Sequence, residues 1–351
     1  MSIIAAIVVL GVLIFAHETG HFLSARRMGV GVQKFSLGFG PRLFGFRRGE
    51  TEFLVSAIPL GGYVKLLGED PKEIPSDLSK SFSHKKVGQR ALVFFGGPAF
   101  NFILAALLFW LAFMIGIPAL TTKVGEVKEG FPAAMGGVRS GDRIVAVDGE
   151  ETKRWGDLAG RIHSSPGKTL RVTIERDGKQ QDLALTPRPS REKTLLGEEV
   201  EIGLLGIVPA QEFVVERSNP FQALYLGVLR TYEVSALTVV SIFRLILGKI
   251  PAKTIGGPIL VAQLAGEQAR MGMINLILFT AILSINLAIL NLLPIPILDG
   301  GHLLFCALEA IRGKPIALKK RELAQQIGLV LLVALMIFAF YNDLFRLWTG
   351  P

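Results

Sequence analysis

The sequence has little cysteine and little charge. Its one cysteine, Cys306, among 351 residues excludes an internal disulfide and is expected to be a small buried side chain. Only 19% of the residues are charged, whereas 50% are hydrophobic, which is too apolar for an ordinary soluble domain. The composition therefore predicts a membrane protein.

The sequence also lacks the patterns of a signal peptide, a transit segment and a nucleic-acid-binding surface. The first residues lack the positive stretch and small-residue cleavage site of a signal peptide, and no Arg- and Ser-rich transit segment stands before them. We therefore expect a bacterial plasma (inner) membrane. The formal net charge is +9, but no basic stripe with interleaved aromatics occurs, so we expect no nucleic-acid partner.

Four apolar segments are long enough to cross a hydrocarbon core of about 30 Å. They are Ile3 to Leu23, Ala91 to about Leu120, Ile274 to Leu298, and Ile327 to about Trp348. The residues between the first two segments, 24–90, are basic, and so is the loop between the last two. The positive-inside rule assigns both basic regions to the cytoplasm and both chain termini to the outside.

Two regions have the pattern of strands. The first half of residues 24–90 alternates apolar and polar residues between glycines, which predicts short strands that can enter the membrane only if their backbone is sheltered. Residues 121–189 are polar, with turns at Asp148-Gly149 and Asp177-Gly178. The run from Gly141 to Gly149 resembles a PDZ domain. Such a module could bind a peptide end or strand, or could be a spacer or gate.

The region 190–273 is expected to link this module to the last two membrane segments. Residues 190–219 read as a polar connector, and residues 220–250 are apolar but interrupted by Arg230, Glu233 and Arg244. The latter could span the membrane or lie at its surface. If it crossed, Asp299 would emerge on the face away from His17, so we predict an amphipathic helix on the outer surface.

A candidate zinc-binding motif lies inside the first apolar segment. His17 and His21 are one helical turn apart in the pattern His-Glu-x-x-His, so on a helix both side chains project from one face and can hold zinc. Glu18 is placed to take a proton from a water that the metal activates. Because ionisable residues inside a membrane helix are energetically costly, this cluster favours a functional site over chance.

Two histidines leave a catalytic zinc one protein ligand short, since such sites usually have three. Asp299 follows the third apolar segment, which we expect to run parallel to the first, so its carboxylate should lie on the same side as His17 and His21. On its own, the Asp-Gly-Gly sequence would read as a turn that ends a helix. Pro294 and Pro296 must distort that helix and free backbone groups.

Other polar residues have simpler interpretations. Asn101 follows a Gly-Gly-Pro stretch in the second apolar segment, where we expect an interhelical hydrogen bond. His302 is expected at most beside the metal ligands, or else at the membrane interface. His84 and His163 are expected at the surface.

These motifs together resemble the site-2 protease family of intramembrane zinc metalloproteases. The segments that carry the resemblance are His17 to His21, Gly61 to Leu66, Gly97 to Asn101 and Asn291 to Gly300. The resemblance implies a Zn2+-dependent endopeptidase that cuts the transmembrane segment of a single-pass membrane protein. An anti-sigma factor and remnant signal peptides are the substrates it suggests.

The resemblance also implies roles for residues outside the metal site. Asn291 would position the substrate or steady the transition state, and the strand that ends in Tyr63, Val64 and Lys65 would hold the unwound substrate by edge pairing. The chain has one PDZ-like module where the best-known relative has two in tandem. A mechanism in which two tandem modules exclude large substrates therefore does not carry over to this chain.

Two other functions stay open at this point. A membrane scaffold could recruit partners through the PDZ-like module, but Glu18 has no use in a purely structural zinc site. A metalloprotease could cut segments at the membrane surface. The depth of His17, about 21 Å along its helix at 1.5 Å per residue, argues against that second function.

The sequence thus predicts a polytopic α-helical membrane protein with about four transmembrane helices, a membrane-associated β-sheet and one extracytoplasmic PDZ-like domain. The expected regions are 1–120 with the first two membrane helices and the strands, 121–189 with the PDZ-like module, 190–273, and 274–351 with the last two membrane helices.

Overall fold

The computed structural model describes residues 2–70, 77–194 and 199–349. The chain divides into two compact units. The helical unit comprises Met1–Ala112, Asn219–Leu245 and Pro251–Pro351, and the β-rich unit comprises Phe113–Ser218 and Ile246–Ile250. Each unit has its own cluster of buried apolar side chains. Cys306 is buried in the cluster of the helical unit, as expected of a lone cysteine.

Five helices in the described part of the chain are long and apolar enough to cross a membrane. They are α1 (Ser2–Arg27), α2 (Val87–Ile115), α5 (Pro220–Ile246), α7 (Met273–Asn291) and α9 (Leu318–Thr349). The shorter helices are α3 (Pro132–Met135), α4 (Trp155–His163), α6 (Pro258–Met271) and α8 (Asp299–Arg312). The sequence predicted four of these helices as membrane-spanning and placed α5 at the membrane surface. The number of helices that cross the membrane therefore stays a prediction.

The helices α1 and α7 run in the same direction. At the start of α1, Ser2 lies against α6, where an ideal Cβ on Gly266 would be 2.1 Å from the Ser2 hydroxyl. Helix α6 leads through a single residue into α7. After α7 the chain reaches Asp299, which lies beside His17 near the other end of α1. This is the relative direction expected from the sequence.

Helix α2 crosses α1 at very short range. An ideal Cβ on Gly20 would lie 2.1 Å from the carbonyl oxygen of Gly96, and one on Gly96 would lie 2.4 Å from the Ser24 hydroxyl. Because neither glycine has a side chain, the two backbones touch. The Gly-Gly-Pro stretch of α2 thus brings this helix against the face of α1 that carries the histidines.

Residues 32–66 form a sheet from one long folded hairpin, whereas the sequence predicted short separate strands. Strand β1 (Val32–Arg48) pairs antiparallel with β2 (Thr51–Leu66). Residues 34–37 pair with 52–55 on one side and with 62–65 on the other. The register shifts therefore create four segments in the order 62–66, 32–37, 51–56, 42–48. No described strand pairs with the outer edge of segment 62–66.

The β-rich unit is built around a four-stranded antiparallel sheet. Its order is β6 (Glu150–Glu151), β5 (Arg143–Val147), β7 (Leu170–Arg176) and β8 (Lys179–Leu185). Asp148 and Asp177 both have φ of 51°, and each precedes a glycine with positive φ, which is the geometry of the tight hairpin turns that the sequence predicted. Leu158 of α4 packs with Ile144 and Val172 in the core.

Two boundaries of the β-rich unit differ from those expected. Helix α2 ends at Ile115 rather than near Leu120, because Gly116 adopts a φ of 110° and β3 (Ile117–Leu120) pairs with β12 (Phe213–Glu216). The supposed polar connector 190–219 contains strands: β9 (Arg188–Lys193), β10 (Glu199–Leu204) and β11 (Ile207–Pro209), which pairs with β4 (Val124–Val127). The β-rich unit is therefore wider than 121–189, since strands this short leave little periodicity in the sequence.

Candidate active site

Helix α1 places the two histidines of the motif on one face. The rings of His17 and His21 are edge to face with centroids 4.7 Å apart, and their Nε2 atoms are 3.2 Å apart. The spacing of four residues on a regular helix produces this geometry directly. Both side chains are largely buried.

Asp299 completes the group from a distant part of the chain. Its Oδ2 lies 3.2 Å from His17 Nε2, and its Oδ1 lies 3.4 Å from His21 Nε2. Helix α7 ends at Asn291 before the two prolines, and Asp299 begins α8. An ideal Cβ on Gly300 would lie 2.3 Å from the carbonyl oxygen of Leu292, so glycine after the aspartate is what lets the chain turn this tightly.

The three side chains match the ligand set of a zinc ion. One ligand atom from each of His17, His21 and Asp299 lies within 4.8 Å of the others. Two ligand atoms about 2.1 Å from a tetrahedral ion would be about 3.4 Å apart, which agrees with the separations of 3.2 and 3.4 Å. Two imidazoles and one carboxylate are also a donor set found in catalytic zinc sites.

The other ring nitrogens of the histidines face α2. His21 Nδ1 lies 2.9 Å from the Val93 carbonyl oxygen and donates to it, while His17 Nδ1 faces the side-chain amide of Asn101 at 3.3 Å. Contacts of this kind orient the rings of ligating histidines. The interhelical hydrogen bond expected of Asn101 is therefore present, and its partner is one of the candidate ligands.

Glu18 lies beside the histidines and is 8% exposed. Strand β2 passes directly over it, because an ideal Cβ on Gly62 would be 2.9 Å from Glu18 Cγ. A cavity of about 270 Å³ opens at this point. Of the residues predicted from the sequence, its lining includes His17, Glu18, His21, Asp299, Asn291, Tyr63 and Val64. Lys65, also predicted, lies in the same strand but is not among the lining residues.

Sequence reasoning missed or underrated three residues around this site. Glu69 lines the cavity and accepts a hydrogen bond from the backbone N–H of Leu66 at 3.2 Å. His302 lines it too, stacks on Phe94 with centroids 4.5 Å apart, and accepts a hydrogen bond from Arg321. Burial, and then the Arg321 charge, lower the pKa of His302 to about 4, so this imidazole is neutral at pH 7.

The third residue is Gly97, whose missing side chain leaves room for the two imidazoles. A glycine in an apolar helix was the available signal, but the sequence does not tell which neighbour comes close. The arrangement as a whole brings together a candidate metal site, a carboxylate beside it and an open cavity. It has the parts of a membrane-embedded metalloprotease.

Comparison with known proteins agrees with this class. Residues 5–335 match peptidase family M50. The chain is 33% identical to the regulator of sigma-E protease RseP of Escherichia coli over 446 residues, covering 97% of this chain and 98% of the relative. It is 40% identical to an Agrobacterium fabrum protein that carries the name zinc metalloprotease, covering 97% of this chain and 95% of the relative.

The chain therefore belongs to peptidase family M50, the site-2 protease family, and is a zinc-dependent metalloprotease of the bacterial inner membrane. The family resemblance drawn from the sequence motifs is confirmed. Among solved structures, the PDZ domain of an SdrC-like protein from Listeria innocua is similar over 26% of this chain and 96% of that chain, with 24% identity and a TM-score of 0.21.

Proposed function

We propose that this protein cleaves peptide bonds inside the membrane-spanning segment of single-pass membrane proteins. The observation that carries the proposal is the position of the candidate ligands and base. His17, Glu18 and His21 lie in a helix of membrane length and apolar composition. An active site in such a helix suits a substrate that is itself within the membrane, rather than a soluble chain.

The proposed chemistry divides between the metal and Glu18. Zinc bound by His17, His21 and Asp299 would lower the pKa of a water and polarise the scissile carbonyl. Glu18 lines the same cavity as these three side chains. Its carboxylate takes the proton of the attacking water and then delivers it to the leaving amine.

The substrate helix must unwind before it is cut, because its peptide bonds are shielded by its own hydrogen bonds. The outer edge of segment 62–66, with which no described strand pairs, lies along the cavity that holds the candidate ligands. An extended substrate segment can add to this edge and recover backbone hydrogen bonds. The edge residues Tyr63, Val64 and Lys65 then align the substrate, and the Asn291 amide stabilises the developing negative charge.

The basic segments are assigned to the cytoplasm by the positive-inside rule; residues 71–76, which include Lys72, lie outside the described part of the chain. This assignment puts both termini and the PDZ-like domain outside, and the active site toward the cytoplasmic side. Because α1 and α7 run in the same direction, the chain between α2 and α7 must begin and end on one side. A crossing by α5 would need a return crossing.

Helix α6 is too short for that return. It has 14 residues, about 21 Å at 1.5 Å per residue, against a core of about 30 Å. The other helical segment between α5 and α7 in the described residues is the 3-10 helix Ala252–Thr254, which has only three residues. Helix α5 buries only one stripe, at Ala223, Gly227, Thr231 and Val234. We therefore keep α5 as an amphipathic helix that does not cross, which leaves four transmembrane helices.

The substrate class follows from the relatives. The Escherichia coli relative is named regulator of sigma-E protease RseP, so we propose regulated intramembrane proteolysis of an anti-sigma factor as one activity, with remnant signal peptides as a further substrate class. The PDZ-like domain is proposed to bind a peptide of a partner or to limit access. The remaining partner is the lipid bilayer.

The test uses the purified full chain in detergent and a model single-pass substrate. Wild type should cut inside the apolar segment and lose activity with a chelator. Glu18→Gln should keep zinc and lose cleavage by about a hundredfold or more, whereas Glu267→Gln, at an exposed position of α6, should match wild type. Asp299→Asn should lower the zinc content measured by atomic absorption. Cuts found only in loop segments, or near-normal cleavage by Glu18→Gln, would refute the proposal.

A further inference from the structure

Asn101 has an unusual environment on α2. Its side chain is fully buried, and its backbone carbonyl accepts a 2.7 Å hydrogen bond from the Ser284 hydroxyl of α7. Its amide nitrogen Nδ2 lies 3.3 Å from His17 Nδ1, and its amide oxygen Oδ1 is buried without a hydrogen-bond partner among the described residues. His17 is thus the contact that decides which end of the amide faces α1.

The two histidines differ in the group that faces their Nδ1 atom. His21 Nδ1 faces the Val93 carbonyl oxygen at 2.9 Å. A carbonyl can only accept, so His21 carries its proton on Nδ1 and keeps the Nε2 lone pair for a metal. His17 Nδ1 faces an amide instead, which can present either a donor or an acceptor.

The orientation of this amide determines the tautomer of His17. If Nδ2 faces His17, the Nδ1 atom must accept, and the proton of the neutral ring sits on Nε2. Nε2 is the atom 3.2 Å from Asp299 Oδ2, and a protonated nitrogen cannot bind a metal. If the amide turns by 180°, Oδ1 accepts the proton of Nδ1 and the Nε2 lone pair is free. No other hydrogen bond of the amide opposes this turn among the described residues.

We infer that Asn101 is a positioning residue that presents its Oδ1 to His17 in the zinc-bound protein. It fixes the proton of His17 on Nδ1 and thereby keeps Nε2 available to the metal. The inference rests on the proposed role of His17 as a zinc ligand. Partners of this kind typically change metal affinity about 10- to 100-fold when they are removed.

The first test measures the zinc affinity of the full chain in detergent, by competition with a chromophoric chelator. Asn101→Leu keeps the approximate volume but removes the acceptor, and should weaken zinc binding about 10- to 100-fold. Asn101→Asp keeps an acceptor at the same place and should stay within a few-fold of wild type. Ser284→Ala is the matched control, because it removes the hydrogen bond to the Asn101 backbone and leaves the side chain intact.

The second measurement is the ¹⁵N NMR signal of the His17 ring in zinc-loaded wild type. We expect an N–H signal at Nδ1 and a metal-bound signal at Nε2. Zinc on Nδ1, wild-type affinity in Asn101→Leu, or equal losses in the Leu and Asp variants would overturn the inference. If Asn101→Leu does not fold, the zinc affinity of Asn101→Asp and the wild-type NMR spectrum test the inference. Wild-type zinc affinity in His17→Ala would instead refute the proposed ligand set.

Discussion

An ideal Cβ atom on Gly97 would lie 2.4 Å from Nε2 of His21 and 2.7 Å from Cε1 of His17. His21 Nε2 is also the atom that faces Asp299, 3.4 Å from its Oδ1. A methyl group at position 97 would thus occupy the space in which the candidate ligand atoms converge. Helix α2 therefore forms one wall of the candidate metal site, and the absence of a side chain at Gly97 leaves room for the ligand atoms.

The substitution Gly97→Ala should therefore reduce zinc binding and proteolysis together. The variant should fold, because alanine favours a helix over glycine by about 1 kcal/mol. We expect a zinc content well below one per chain by atomic absorption and at least a tenfold loss of cleavage. Gly88→Ala is the matched control in the same helix, since a Cβ there meets nothing within 4 Å. Full zinc content in Gly97→Ala would contradict the assignment of this wall.

The candidate ligands could be predicted from the sequence, whereas the walls of the site could not. The four-residue spacing of His17 and His21 sets a common helix face, and the parallel course of two apolar segments brings Asp299 to it. Gly97 has no chemical signature, because what matters is the side chain it lacks. Glu69 was missed since a carboxylate after a strand resembles any other loop residue until the fold brings it to the cavity.

A second prediction concerns the acid stability of the β-rich unit. Asp142 is 2% exposed, and its two oxygens accept hydrogen bonds of 2.7 Å from Nε and Nη2 of Arg176. Burial raises the pKa of this carboxyl, but hydrogen bonds from the Arg176 side chain and the Arg139 backbone outweigh that effect and lower the pKa. The folded state therefore binds this proton less readily than the unfolded state.

The stabilisation by Asp142 should be fully present above the ordinary carboxyl pKa of about 3.9 and should disappear as the pH falls through the lowered pKa. At pH 7, Asp142→Asn should reduce the free energy of unfolding by about 1.5–3 kcal/mol. The difference from wild type should shrink below about pH 4. Asp157→Asn, at an exposed position in the first turn of α4, is the control and should cost less than about 1 kcal/mol.

The measurement is denaturant unfolding of the full chain, followed by Trp155 fluorescence. Trp110 and Trp348 are replaced by Phe in all variants, so that the signal comes from the β-rich unit alone. Trp155 suits this use because it is partly buried against the core of that unit. An Asp142→Asn deficit that is the same at pH 3 and pH 7 would show that the ion pair is not its cause.

The long helices could be predicted from the sequence, whereas the short strands and their pairing could not. The apolar runs predicted α1, α2, α7 and α9 within a few residues, apart from the ends that Gly116 and the two prolines impose and the start of α9, which lies at Leu318 rather than Ile327. The strands within 188–216 have three to six residues each. Two of them, β11 and β12, pair with β4 and β3, which lie about 80–100 residues earlier in the chain. Likewise, the double pairing of residues 34–37 depends on register shifts that no alternation pattern reveals.

That double pairing leaves segment 62–66 as one edge of the sheet and segment 42–48 as the other, which sets up the last prediction. If the substrate adds to the edge beside the cavity, a cysteine in place of Tyr63 should form a disulfide with a single-cysteine substrate near its scissile bond. Tyr63 lines the cavity, whereas Phe44, on the opposite edge, is 66% exposed. Phe44→Cys is therefore the matched control for accessibility.

Both cysteine variants are made with Cys306→Ala, which removes the lone native cysteine, and with Glu18→Gln, which keeps the substrate uncut. Under mild oxidation, we expect the Tyr63→Cys protein to capture the substrate several-fold more than the Phe44→Cys protein does. Scanning the substrate cysteine should give an alternating yield with a period of two residues, because side chains of an added strand point to opposite faces in turn. Equal capture at the two edges, or a period near 3.6 residues, would show that the substrate meets the sheet as an intact helix and that edge pairing does not hold it.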